Sequence, residues 1–194
     1  MEVAEMTNYI NNVLKNVPND WVNLTTHRLD IYDESLAKTE FLEKFETLFA
    51  NNDFSTSALS ELPTAFDYIR LGHPLSSILE WSVAQLNEIN SDNVICFDSK
   101  TMPILAILRK NLLIGKNTHI AYSDKLPTQF NSDLLKSIYG YNFELQQVAN
   151  KEELSAFDGS TVFISKTNKT QEFELNSNVD FYINNNDELG SIIV

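Results

Sequence analysis

From residue 67 onward, short apolar runs alternate with helical stretches of about ten residues. Continuous apolar runs such as 94–97 are typical of buried parallel strands, while the intervening segments carry apolar residues at helical spacing. Parallel strands need crossover connections, so this alternation favours right-handed βαβ units. We therefore predict an α/β fold with a mainly parallel sheet flanked by helices. The predicted strands are 94–97, 118–122, 143–148, 161–164, 179–183 and 191–194, and the predicted helices are 74–87, 103–113, 129–139 and 152–157.

The first 60 residues predict a helical N-terminal extension. One helix is predicted over 3–14, ending before Pro18, and a second from about Ser35, a candidate N-cap. The second helix has a wide aromatic stripe that must pack either on the rest of the chain or on another subunit. We predict a division into residues 1–60 and an α/β domain over 61–194. The stripe consists of Leu36, Phe41, Leu42, Phe45, Leu48 and Phe49.

The net charge of −13 arises from 27 acidic and 14 basic residues. It is spread along the chain, so it would repel nucleic acid and anionic lipid and would favour either solubility or a basic protein partner. The single cysteine, Cys96, is expected to pack as a small core residue and points to a reducing compartment. No apolar run is long enough for a membrane span and no signal peptide is recognised, so we expect a cytoplasmic protein.

Residues that usually carry chemistry do not form a complete site. The five glycines are too far apart for a dinucleotide-binding or Walker loop, and there is no G-x-S-x-G elbow. The histidines, His27, His73 and His119, form no metal-ligand pair, and His119 is expected to be a packed core residue. We therefore assign no catalytic residue and no metal ligand.

One candidate binding segment follows the strand predicted over 94–97. In open α/β sheets, ligands bind at the carboxyl ends of strands, where helix N-termini also attract anions. Ser99 and Thr101 could donate hydroxyl groups, and Lys100 a positive charge, to a phosphate or carboxylate. The alternative is simple N-capping by Ser99 or Thr101 with Lys100 in solvent.

A second candidate comes from residues 68–80, which have the form Y-x-R-x-G-x-P-x-x-x-x-L-E. This pattern resembles the start of the cofactor domain in the Cys/Met-metabolism family of pyridoxal-phosphate enzymes, and the similarity extends over roughly residues 67–165. The resemblance implies that Tyr68 and Arg70 reach across a homodimer to the cofactor phosphate of the other subunit. It also places the family's Ser-Gly pair on Ser99 and Lys100.

The chain departs from this family at several positions. The ring-stacking tyrosine has no counterpart near residues 125–128, and the Schiff-base lysine and the C-terminal domain have no counterpart at all. The resemblance therefore implies a shortened, non-catalytic relative that acts by protein–protein interaction or as a dimer, with pyridoxal phosphate possible by resemblance alone. Two alternatives stay open: an enzyme or sensor that binds a small anionic ligand (phosphate, nucleotide or pyridoxal phosphate) at Asp98–Thr101, and an acidic inhibitor or immunity-type protein for a basic partner.

Overall fold

The structure, a computed structural model, describes residues 3–22, 34–63, 73–166, 176–185 and 190–193, with backbone only for 34–37 and 190–193. The predicted phosphate ligands Tyr68 and Arg70 lie outside these residues. The chain forms two compact units, Met1–Glu88 and Ile89–Val194. The boundary predicted from sequence fell after residue 60, whereas the structure groups the helix beginning at Pro74 with the N-terminal helices.

The first unit is helical in the residues described. Its helices are α1 (Val3–Lys15), α2 (Asn19–Val22), α3 (Glu34–Ala50), α4 (Thr56–Ser60) and α5 (Pro74–Leu86). The prediction of helical segments over 3–14 and 74–87 is confirmed. Helix α3 begins at Glu34, so Ser35 lies inside its first turn and is not the N-cap. Helix α4 was not predicted, and its N-cap is Ser55, whose side chain accepts a hydrogen bond from the Ala58 N–H.

An aromatic core holds the first unit together. The Phe45 and Trp81 rings meet edge to face with centroids 5.3 Å apart, which joins α3 to α5. Tyr9 of α1 meets Phe49 of α3 in the same way at 4.9 Å. The stripe of α3 from Phe41 to Phe49 thus packs on helices of its own chain, while the side chain of Leu36 lies outside the described residues. The buried residues of this core are Met6, Tyr9, Val13, Trp21, Phe41, Leu42, Phe45, Leu59, Ile78 and Trp81.

The second unit contains a sheet and two helices in the residues described. Its elements are β1 (Val94–Phe97), α6 (Met102–Leu113), β2 (Thr118–Tyr122), α7 (Ser132–Ser137), β3 (Phe143–Gln147), β4 (Ser160–Ser165), β5 (Phe181–Asn185) and β6 (Gly190–Ile193). The strand order is β1-β6-β5-β4-β2-β3. Strands β3, β2, β4 and β5 pair in parallel, and β6 runs antiparallel to both β5 and β1. The predicted α/β class with a mainly parallel sheet is confirmed.

Helices α6 and α7 cover one face of this sheet. Their buried side chains form one cluster with alternate residues of the strands, as expected where a helix packs on a pleated sheet. The cluster contains Ile104, Ile107, Leu108, Ile120, Leu135, Tyr141, Phe143, Val162, Ile164, Phe181 and Ile183. Gly115, with φ of +68°, follows α6 in the left-handed region that glycine adopts without strain.

Three local predictions differ from the structure. Strand β1 lies at the sheet edge, paired only with β6 among the described strands; Ile95 is 46% exposed and Cys96 is partly exposed. Helix α7 begins at Ser132, not at 129, because the Asn131 side chain caps it by accepting from the Leu134 N–H. Residues 152–157 form no α-helix beyond the 3₁₀ turn Lys151–Glu153.

Candidate functional site

A cavity of about 360 Å³ lies in the second unit at the carboxyl edge of the sheet. Its volume falls within the range of small-molecule sites. We call it the lysine cavity, because three of its described lining residues are lysines. Its lining residues are Lys100, Asp124, Lys125, Leu126, Pro127, Thr128, Gln129, Lys166 and Asn185.

The sheet topology brings these residues together. Lys100 follows β1, Lys125 follows β2, Lys166 directly follows β4, and Asn185 is the last residue of β5. Parallel strands end at the same edge, so four chain segments far apart in sequence converge there. Asn185 shares the strand face of Phe181 and Ile183, which is the face that α6 covers.

The lysine cavity is locally cationic in a strongly acidic chain. Three lysines and one aspartate line it, whereas the whole chain has a net charge of −13. A lysine ammonium group is a compact charge with three donors, which suits a phosphate or carboxylate oxygen. The lining therefore favours an anionic group, with Asp124 available to a ligand donor or to a neighbouring ammonium group.

Asn185 adds a buried polar atom to this cavity. The residue is 7% exposed, and its Oδ1 accepts no hydrogen bond from the residues that the structure describes. A buried acceptor without a donor costs about 1–3 kcal/mol, so native proteins usually satisfy it. A hydroxyl group of a ligand, or a water, would complete it.

The three predicted residues at the start of α6 have separate roles. The Ser99 Oγ accepts hydrogen bonds from the N–H groups of Thr101 and Met102 at 3.2 and 3.3 Å, so Ser99 fixes the turn that leads into α6. The N-cap residue itself is Thr101, whose side chain makes no capping hydrogen bond. Lys100 lines the lysine cavity, and Thr101 lines a second cavity. Of this predicted group, Lys100 alone lines the lysine cavity.

A second cavity of about 220 Å³ is lined mainly by apolar and aromatic side chains. We call it the tyrosine cavity. The Tyr139 and Tyr141 rings stack with centroids 5.8 Å apart and planes 11° from parallel. Gln129 lines both cavities. The tyrosine cavity is lined by Thr101, Leu105, Gln129, Asn131, Leu134, Leu135, Tyr139 and Tyr141.

The described histidines have structural roles: His73 caps a helix, and His119 packs in the interior. His73 caps α5, because its Nδ1 accepts from the Leu75 N–H, and its Nε2 donates to the Trp21 carbonyl oxygen at 2.8 Å. His119 is buried beside the Phe157 ring, as predicted for a packed core residue. Within the described part of the chain, no group of three or more His, Cys, Asp or Glu residues could hold a metal ion. None of the described helices combines the length and apolar character needed to cross a bilayer.

No protein-family model, no curated protein and no solved structure matches this chain. The kinship with pyridoxal-phosphate enzymes inferred from residues 68–80 therefore stays a prediction. Lys125, Lys166 and Asn185 were not assigned from the sequence. A local signal existed for each, since each one follows or ends an apolar strand run, but their convergence depends on strand order.

Proposed function

We propose that the protein binds a small anion of the phosphate class in the lysine cavity. The observation that carries this proposal is the convergence of Lys100, Lys125 and Lys166 from three strand ends onto one cavity of ligand size. The Oδ1 of Asn185 supports it, because it accepts no hydrogen bond within the described part of the chain and offers a buried acceptor to a ligand hydroxyl group.

Local attraction outweighs the repulsion expected from the net charge of −13. At 4 Å, opposite unit charges near a protein surface attract by about 4 kcal/mol before desolvation is subtracted. Exposed charges farther away than about 8 Å are largely screened at physiological ionic strength. An anion in the cavity therefore interacts mainly with its three lysines and Asp124, and weakly with the remaining acidic surface.

The N-terminus of α6 contributes less to anion binding than its position near the lysine cavity suggests. The amides of Thr101 and Met102 already donate to the Ser99 hydroxyl, so they are engaged before any ligand arrives. Binding energy should therefore come mainly from lysine ammonium groups, and removal of any one of them should weaken binding.

Titration calorimetry with inorganic phosphate and pyrophosphate tests the proposal. Lys100→Ala and Lys166→Ala should each weaken binding about tenfold, equivalent to about 1.4 kcal/mol. Lys116→Ala is the matched control, because Lys116 is exposed and precedes β2 at the opposite edge of the sheet. Equal weakening by Lys116→Ala, or unchanged binding in both cavity variants, would overturn the proposal.

Pyridoxal phosphate belongs in the ligand panel because of the resemblance at residues 68–80. The described lining of the lysine cavity suits its phosphate group, but none of that lining is aromatic, so the pyridine ring would have to lie outside this cavity. We therefore propose phosphate recognition and derive no cofactor chemistry. Covalent attachment of pyridoxal phosphate to a lysine, fixed by borohydride reduction after addition and dialysis, would contradict a role limited to phosphate recognition.

A non-catalytic role in a homodimer, or with a basic protein partner, remains a prediction supported by the sequence resemblance and by the charge of −13. We propose a cytoplasmic location on the strength of the single cysteine. Sedimentation of the protein mixed with a basic protein, at low and at high salt, tests the partner prediction. The complex should dissociate as salt rises, because salt screens the attraction between the two proteins.

A further inference from the structure

We infer that the ligand has two parts, an anionic group in the lysine cavity and an apolar group in the tyrosine cavity. This inference rests on the proposed anion binding and extends it to a chemical class, namely organic phosphates that carry an aromatic group. An inorganic anion would use only the first part of the site.

The two cavities share one lining residue, and their linings include residues that are adjacent in sequence. Gln129 lines both of them, on the loop between β2 and α7. Lys100 and Thr101, which are adjacent in sequence at the start of α6, line one cavity each. A ligand that extends past Gln129 would place one group in each cavity.

The tyrosine cavity offers apolar surface for a ligand to cover. Leu134 is 41% exposed and Tyr139 is 56% exposed, while Leu135 and Tyr141 are buried at the base. Stacked tyrosine rings and leucine side chains favour a flat apolar group, since aromatic rings pair in offset or edge-to-face geometry. No described lining residue of this cavity is charged, so the anionic group should remain with the lysines.

Removing one side chain from each cavity separates their contributions. Leu134→Ser and Tyr139→Ala change exposed side chains of the tyrosine cavity, and Lys100→Ala changes the lysine cavity. Leu113→Ser is the matched apolar control, since Leu113 is 72% exposed at the C-terminal end of α6 and lines neither cavity. All variants are titrated with inorganic phosphate, phenyl phosphate and 1-naphthyl phosphate.

Wild-type protein should bind 1-naphthyl phosphate at least about tenfold more tightly than inorganic phosphate, because one extra interaction worth about 1.4 kcal/mol suffices for that factor. Tyr139→Ala and Leu134→Ser should remove most of this preference and leave phosphate affinity unchanged. Lys100→Ala should weaken all three ligands, and Leu113→Ser should change none.

Equal affinity for the three ligands in wild-type protein would overturn the two-part inference and leave anion binding intact. No binding of any of them would overturn the proposed function itself. 1-Naphthol, titrated in addition, is the control ligand without an anionic group. If it bound as tightly as 1-naphthyl phosphate, and if Lys100→Ala left both affinities unchanged, the tyrosine cavity would act independently of the anion and the inference would fail.

Discussion

The side-chain amide of Asn111 donates a 2.9 Å hydrogen bond to the hydroxyl oxygen of Thr118, and both residues are almost completely buried. This bond joins α6 to β2. Both elements contribute residues to the core cluster that contains Ile120. A polar pair inside an apolar layer is tolerated because each partner satisfies the other.

Asn111→Ala should therefore lower the free energy of unfolding of the second unit by about 1–3 kcal/mol, because it leaves the Thr118 hydroxyl without its donor. Pairing Asn111→Leu with Thr118→Val should recover part of the loss. Both tryptophans, Trp21 and Trp81, lie in the first unit, so urea unfolding should be followed by circular dichroism. A double variant less stable than either single one would contradict this account.

Tyr9 makes the first unit sensitive to alkaline pH. Its hydroxyl donates to the Asp53 carbonyl oxygen at 2.8 Å, and burial, followed by the nearby Asp53 charge, raises its pKa from 10.0 to about 12. The unfolded chain loses this proton first, so the stabilisation is complete below pH 10 and declines as pH rises towards 12. Unfolding followed by tryptophan fluorescence should show that the free energy of unfolding falls more steeply with rising pH in wild type than in Tyr9→Phe. Parallel pH curves would refute the role assigned to Tyr9.

Helical periodicity predicted most of the fold correctly. Apolar residues recur every three to four positions in α1, α3, α5 and α6, and Pro74 and Gly115 mark ends that the structure retains. Helix α4 was missed because five residues are too few to show a period. The edge position of β1 was also missed, since it depends on pairing with β6, and pairing between distant segments leaves no local pattern.

The candidate site was only partly predictable for the same reason. Lys100 was identified because it lies where a strand passes into a helix, and that transition is visible locally. Lys125 and Lys166 follow β2 and β4 in the same way, but nothing in the local sequence says that these ends converge beside Lys100. Asn185 ends an apolar strand run, but the burial of its Oδ1 is a tertiary property that the local sequence does not show.

Trp81 depends on an acidic side chain from another helix. Its buried Nε1–H donates to the Glu46 Oε1 at 2.7 Å, which joins α5 to α3. Glu46→Ala should lower the stability of the first unit by about 1–3 kcal/mol, because a buried donor loses its acceptor. The matched control is Glu43→Ala on the same helix, because both glutamates are exposed but Glu46 is the one that accepts the hydrogen bond from Trp81. Equal effects of the two changes on fluorescence-monitored unfolding would show that this bond contributes nothing specific.

Two glycines of the second unit should respond differently to alanine. At Gly159 a Cβ would lie 2.5 Å from the Phe157 ring and 2.6 Å from the Asn117 carbonyl oxygen, which already accepts a hydrogen bond from the Ser160 N–H. Because backbone at the start of β4 must shift, Gly159→Ala should cost about 3 kcal/mol.

Gly140 has open space around it but a φ of +69°, so Gly140→Ala meets only the left-handed backbone penalty of about 1 kcal/mol. Gly140→Asn should cost less than Gly140→Ala, because asparagine adopts this region more readily. Urea unfolding followed by circular dichroism should rank Gly159→Ala as the least stable of the three. If Gly140→Ala were the least stable, the close contacts of a Cβ at position 159 would not be the larger of the two costs.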